Sequence, residues 1–76
     1  MNVFEKVKEY VLQQLPVSED KITLEARMIE DLGADSANLM MLIMELETEF
    51  NLTVEDEVLG TIKTVGDIVD YIQKKG

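Results

Sequence analysis

Apolar residues return every three or four positions along most of this chain, and no segment alternates cleanly every second position, which points to an all-α fold. Val3, Phe4, Val7, Val11, Leu12 and Leu15 mark a first helix from Met1 to Leu15, with Asn2 and Glu5 spaced as a cap. Pro16 ends it, because its ring cannot continue the backbone ladder. Residues 16–35 then form a long connection, a length that is uncommon unless the loop is pinned or functional. Ile22, Leu24, Met28, Ile29 and Leu32 are the apolar residues available to pin it. Gly33 supplies a turn, and Asp35 is a good N-cap for a second helix from Ser36 to about Phe50. Glu55 to Gly60 form one or two helical turns. Thr64 with Asp67 matches a capping box opening a last helix, whose apolar face is Val65, Ile68, Val69 and Ile72 and whose end carries Lys74 and Lys75. The expectation is a four-helix bundle with a short third helix and a long loop between helices 1 and 2, with residues 1–76 as a single domain and no internal repeat.

The second helix carries more apolar surface than a core needs. At about 100° per residue, Leu39, Leu42, Ile43, Leu46 and Phe50 gather on one side as an ordinary core stripe. Ala37, Met40, Met41 and Met44 gather on another, and Asn38, Glu45 and Glu49 on a third. The methionine side reads either as a docking surface, since flexible thioethers adapt to differently shaped partners, or as gap filler beneath the long loop.

Composition narrows the chemistry. The chain has 76 residues, no cysteine and no histidine, which removes disulfides, thiolate metal sites, a cysteine nucleophile and the commonest general base. Its net charge of −9 is concentrated between Met28 and Ile62, where nine acidic residues meet no lysine or arginine. Such a field repels nucleic acid and anionic membranes; it either steers partners bearing Lys or Arg patches or simply keeps the surface solvated. No spacing matches a calcium loop, so no specific metal site is expected. With no basic run leading into an apolar stretch, and no apolar run near the roughly 20 residues that cross a bilayer, a cytoplasmic, monomeric protein is expected.

The run Glu30-Asp31-Leu32-Gly33-Ala34-Asp35-Ser36 resembles the modification motif of acyl carrier proteins, an aspartate and serine at the start of the second helix. Ser18 to Ile22 resembles the family's loop opening. Leu46-Glu47 with Glu49-Phe50 resembles its second helix end, and Thr64-Val65 with Asp70-Tyr71-Ile72 its last helix, at the family's spacing without gaps. The resemblance implies a non-catalytic carrier whose Ser36 hydroxyl receives 4'-phosphopantetheine from coenzyme A through a phosphopantetheinyl transferase, with Asp35 as motif residue and helix cap. Acyl groups then ride as thioesters on the arm's thiol, for fatty acid or related lipid or polyketide synthesis. The resemblance also assigns docking of acyl-transferring or condensing enzymes with basic patches to Asp35, Ala37, Met40, Met44, Glu47, Glu49, Asp56 and Glu57, and Met41 joins them as part of the methionine side. It assigns an acyl cavity to Leu46, Val54, Leu59 and Ile62.

The chain departs from that family pattern at four positions. Ala37 stands where a larger apolar residue is usual, Met41 and the neutral Asn38 where acids are usual, and Leu59 where a small residue is frequent. The docking helix is thereby less acidic and more apolar than the pattern, which leaves general fatty acid synthesis and a dedicated pathway both open. An aminoacyl or peptidyl carrier, including a D-alanyl carrier, shares the same serine and arm. A serine hydrolase would need a base, and the chain has no histidine and no lysine close to Ser36 in sequence.

Overall fold

The structure, a computed structural model, describes residues 2–75. Met1, where the first helix was expected to begin, lies outside the described residues. Helix α1 spans Val3–Gln14, α2 Ser36–Phe50, α3 Asp56–Leu59 and α4 Val65–Lys75, with one 3₁₀ turn at Glu19–Lys21 in the long loop. Asn2 caps α1 by accepting from the Glu5 N–H at 3.2 Å. Asn51 ends α2 in the left-handed region at φ 53°, where its N–H and that of Leu52 both close on the Glu47 carbonyl.

Helix α1 packs against α2 and α4, burying Val7 and Val11 completely. The core continues through Leu42, Ile43 and Leu46 of α2 and Val65, Ile68, Val69 and Ile72 of α4, and Leu39 and Phe50 pack half-buried at its edge. Burying each such aliphatic side chain contributes about 1.5–3 kcal/mol of transfer free energy. The expected stripes on α2 and α4 are therefore the ones that meet inside.

The long loop is pinned, though by a different set of residues than its apolar pattern suggests. Ile22, Met28 and Leu32 are buried as expected, together with Ala26 and Ala34, but Leu24 and Ile29 are exposed. Backbone hydrogen bonds to the start of α4 hold the loop as well. The Leu24 carbonyl accepts from the Gly66 N–H at 2.8 Å, the Ala26 carbonyl accepts from the Val65 N–H at 3.0 Å, and the Met28 N–H donates to the Lys63 carbonyl at 2.9 Å. Arg27 and Thr64 thus form an isolated antiparallel bridge. This pairing turns Glu25 and Arg27 outward and Ala26 and Met28 inward, whereas Leu24 and Ile29 lie in turns to either side of it and stay outside. Gly66 is required for this approach, because a Cβ there would lie 2.8 Å from the Leu24 carbonyl oxygen.

Candidate functional site: the start of helix α2

Three local devices fix where α2 begins. The Arg27 carbonyl accepts from the N–H groups of Asp31 and Leu32, and the Met28 carbonyl from that of Ala34, winding residues 27–34 into a turn. Gly33, at φ +76°, occupies a backbone region that only glycine adopts without strain. Asp35 then caps the helix: its Oδ1 accepts from the Asn38 N–H at 2.8 Å, while Asn38 Oδ1 accepts from the Asp35 N–H at 3.3 Å. Asn38, in sequence only a neutral departure, is the reciprocal half of this capping box.

Ser36 is the first residue of α2, and its side chain is exposed. It opens onto a cleft of about 330 Å³ lined by Met28, Ile29, Leu39, Leu59, Gly60 and Ile62, with Arg27, Glu30 and Lys63 at its polar edge. The Arg27 guanidinium is occupied by Asp31, at 3.1 Å, and by Glu30, at 2.6 Å. Its bonds from guanidinium and backbone N–H hold the Asp31 carboxyl below its usual range. Arg27 thus offsets one of the two charges of Glu30 and Asp31, and the acidity of the Met28–Ile62 stretch is somewhat less bare than its sequence suggests. Lys63 is exposed, and its backbone N–H donates to Asp67 Oδ2 at 3.0 Å. That bond and one from Thr64 hold Asp67 below the ordinary carboxyl range. Thr64 Oγ1 in turn accepts from the Asp67 N–H at 3.1 Å, so the box opening α4 is closed from both ends.

The residues expected to dock partners fall into two groups. Ala37, Met40, Met41 and Met44 are exposed on one side of α2, the methionines at 52%, 57% and 61%, so the loop does not cover them. Asp56 and Glu57 are exposed on α3. Glu47 and Glu49 are half-buried and bonded within the chain. Glu47 Oε2 accepts from the Val54 N–H at 2.7 Å, and Glu49 accepts from the Tyr10 hydroxyl at 2.6 Å and lies 3.9 Å from Lys6. The Glu49 carboxylate pushes the Tyr10 hydroxyl up to about 12. Glu45 accepts from the Gln14 amide, so α2's third side faces α1.

The expected cavity residues also divide. Leu46, Val54 and Ile62 bound a narrow apolar space of about 10 Å³ inside the bundle, whereas Leu59 lines the outer cleft beside Ser36. Ile62 borders both. The cleft's polar edge and its apolar lining, which includes Leu39, Ile29 and Met28 beyond the expected set, come from loop and helix residues far apart in sequence.

Residues 5–72 match the family described as phosphopantetheine attachment site. The chain is 51% identical to an acyl carrier protein of Thermotoga maritima over 96% of its length and 90% of the relative's. The chain belongs to the acyl carrier protein family. An acyl carrier protein of Bdellovibrio bacteriovorus is 45% identical over all of this chain and 97% of its own. A solved structure of an acyl carrier protein from Enterococcus faecalis superposes with a TM-score of 0.84 at 35% identity, covering 97% of this chain and 94% of that one. Members of the family are carriers, and their prosthetic group is 4'-phosphopantetheine.

The start of α2 fits such a group. The Ser36 hydroxyl is open to solvent, the first-turn N–H groups of an α-helix lack intrahelical partners, and the adjoining cleft has apolar and polar sides. Asp35 takes up the Asn38 N–H with its own negative charge, which tempers the pull of the helix end on an anion. Among the described residues no helix is long and apolar enough to cross a membrane, and no group of His, Cys, Asp and Glu side chains is placed to hold a metal ion.

Proposed function

We propose that this chain carries acyl intermediates as thioesters on 4'-phosphopantetheine attached to Ser36, serving fatty acid or related lipid or polyketide synthesis. The observation that carries the reading is an exposed hydroxyl at the first residue of α2, beside a cleft, in a chain without a thiol. When bound, the group supplies the thiol on which thioesters form. Ser36 provides the attachment oxygen, Asp35 holds the helix start in place, and Leu39, Leu59 and Ile62 offer apolar shelter. Incubation with coenzyme A and a broad-specificity phosphopantetheinyl transferase adds one arm to the wild type. Ser36→Ala incorporates none; incorporation by that variant would refute the assignment.

Partner enzymes dock, on this reading, through Ala37, Met40, Met41 and Met44, with Asp56 and Glu57 steering basic patches from a distance. Glu47 and Glu49 contribute less, since both carboxylates already accept hydrogen bonds within the fold. Asp56→Lys with Glu57→Lys slows association at low salt and shows a flatter salt dependence than the wild type. Identical rates for both chains at every ionic strength would remove the steering role.

Cargo length follows from the two spaces beside Ile62. The cleft of about 330 Å³ receives short acyl groups, whereas the interior space of about 10 Å³ admits a chain only if the core opens. Short acyl forms are therefore expected to unfold at higher temperature than the unloaded carrier, with little further gain for long ones. A steady gain with every added pair of carbons would show that the interior opens readily.

A further inference from the structure

We infer that Met40, Met41 and Met44 form an oxidation site, and that converting them to methionine sulfoxide switches partner docking off. The second half rests on the docking role proposed above for the same face. The chain contains no cysteine, so methionine supplies all of its own sulfur. Met40, Met41 and Met44 are 52%, 57% and 61% exposed, whereas Met28 is 1% exposed. Successive α-helical residues turn by about 100°, so the three side chains fall within an arc of roughly 100° on α2. They form one patch of accessible thioethers, set opposite the buried Leu42, Ile43 and Leu46.

The chemistry needs only a peroxide. A thioether sulfur donates an electron pair to one peroxide oxygen, the O–O bond breaks and an S–O bond forms. The sulfur is oxidised by two electrons, and hydrogen peroxide is reduced to water. A reductase supplied with thiols reverses the step: the oxygen leaves as water and two thiols become a disulfide. The product side chain is polar and less able to fill an apolar pocket. Leucine would offer comparable apolar area without this reactivity, so the thioethers give the face a property that its shape alone does not require. Because the three side chains stand outside the core, their oxidation leaves the bundle folded.

The unmodified chain is exposed to limiting hydrogen peroxide, and the added oxygen is mapped by peptide mass. Met40, Met41 and Met44 gain oxygen roughly tenfold or more faster than Met28, which must wait for the core to open. Protein treated further, until Met40, Met41 and Met44 are fully oxidised and Met28 is not, is then supplied with coenzyme A and a phosphopantetheinyl transferase. Its initial rate of arm attachment falls about tenfold, as expected for losing the central apolar contacts of an interface. Methionine sulfoxide reductases for both sulfoxide epimers, added together, restore that rate, and the unfolding temperature stays close to that of the untreated chain. In the triple variant Met40→Leu, Met41→Leu, Met44→Leu, the ratio of treated to untreated rates stays near one.

Equal rates for treated and untreated wild type overturn the switch and leave the carrier reading intact. Oxidation of Met28 at the same pace, loss of folded structure with the lost rate, or a peroxide response that survives in the triple variant also overturns it. If neither treated nor untreated protein is modified by a transferase active on a relative, the carrier reading and the switch fall together.

Discussion

Two sides of α2 make opposite use of similar apolar residues. Leu42, Ile43 and Leu46 are buried against α1 and α4, while Met40, Met41 and Met44 stand in solvent half a turn away. The third side is polar and committed to α1, with Glu45 bonded to Gln14 and Glu49 to Tyr10. A bundle of four helices, one of them only four residues long, has too little chain to cover α2 all round. Helix α2 is thus fastened along two sides, and its N-terminus, with Ser36, is presented at a fixed place beside an uncovered surface.

Substitutions at the two apolar sides test that contrast most strongly. Leu46→Ala removes a side chain that is 1% exposed, and a loss of about 2–5 kcal/mol is expected in denaturant unfolding. Met44→Ala, on the bare side, changes stability by about 0.5 kcal/mol or less. Comparable losses at both positions would mean that the methionine side is covered.

The next largest effect is expected at Gly66, where loop and helix meet. Alanine is intrinsically better than glycine in a helix by about 1 kcal/mol, yet its Cβ would lie 2.8 Å from the backbone oxygen of Leu24. Because the obstacle is backbone, the clash wins, and Gly66→Ala loses about 1–3 kcal/mol net. Faster hydrogen exchange at the Met28 and Val65 amides accompanies that loss. A stabilised variant would show that the loop is not held there, and that Ser36 is positioned by α2 alone.

How much of this was readable beforehand depended on whether the cause was local. Asn2, Pro16, Asp35, Thr64 and Asp67 act on their immediate neighbours, and the bounds of α1, α2 and α4 fall within a residue or two of where those residues place them. The core stripe and the methionine side of α2 follow from a fixed helical period. The loop is legible only in part: apolar character selects Leu24 and Ile29, but both fall in turns that leave them outside, while Ala26, beside the pairing with residues 63–66, and Ala34, at the end of the 27–34 turn, are inside. Glu49 likewise reads as a free surface acid until α1 brings Tyr10 against it. Ser36 was legible from its motif, whereas the cleft beside it, assembled from residues 27–30, 36–39 and 59–63, was not.

The smallest expected effect concerns the polar side of α2. With Glu49 in place, the Tyr10 hydroxyl is pushed up to about 12. A folded-state value raised above the unfolded one stabilises fully below the unfolded value of about 10, and that contribution disappears as pH climbs through 12. In a Tyr71→Phe background, which isolates Tyr10, Glu49→Gln returns the absorbance titration toward the ordinary tyrosine value. An unchanged titration would mean that Glu49 is free of α1 and available to partners after all.

The most direct test of the account is the position of the added arm. The chain has two serines, Ser18 in the long loop and Ser36 at the head of α2. Proteolysis and mass mapping after incubation with coenzyme A and a competent transferase should place all added mass on the fragment containing Ser36. Mass on the Ser18 fragment, or none at all under conditions that modify a relative, would contradict it.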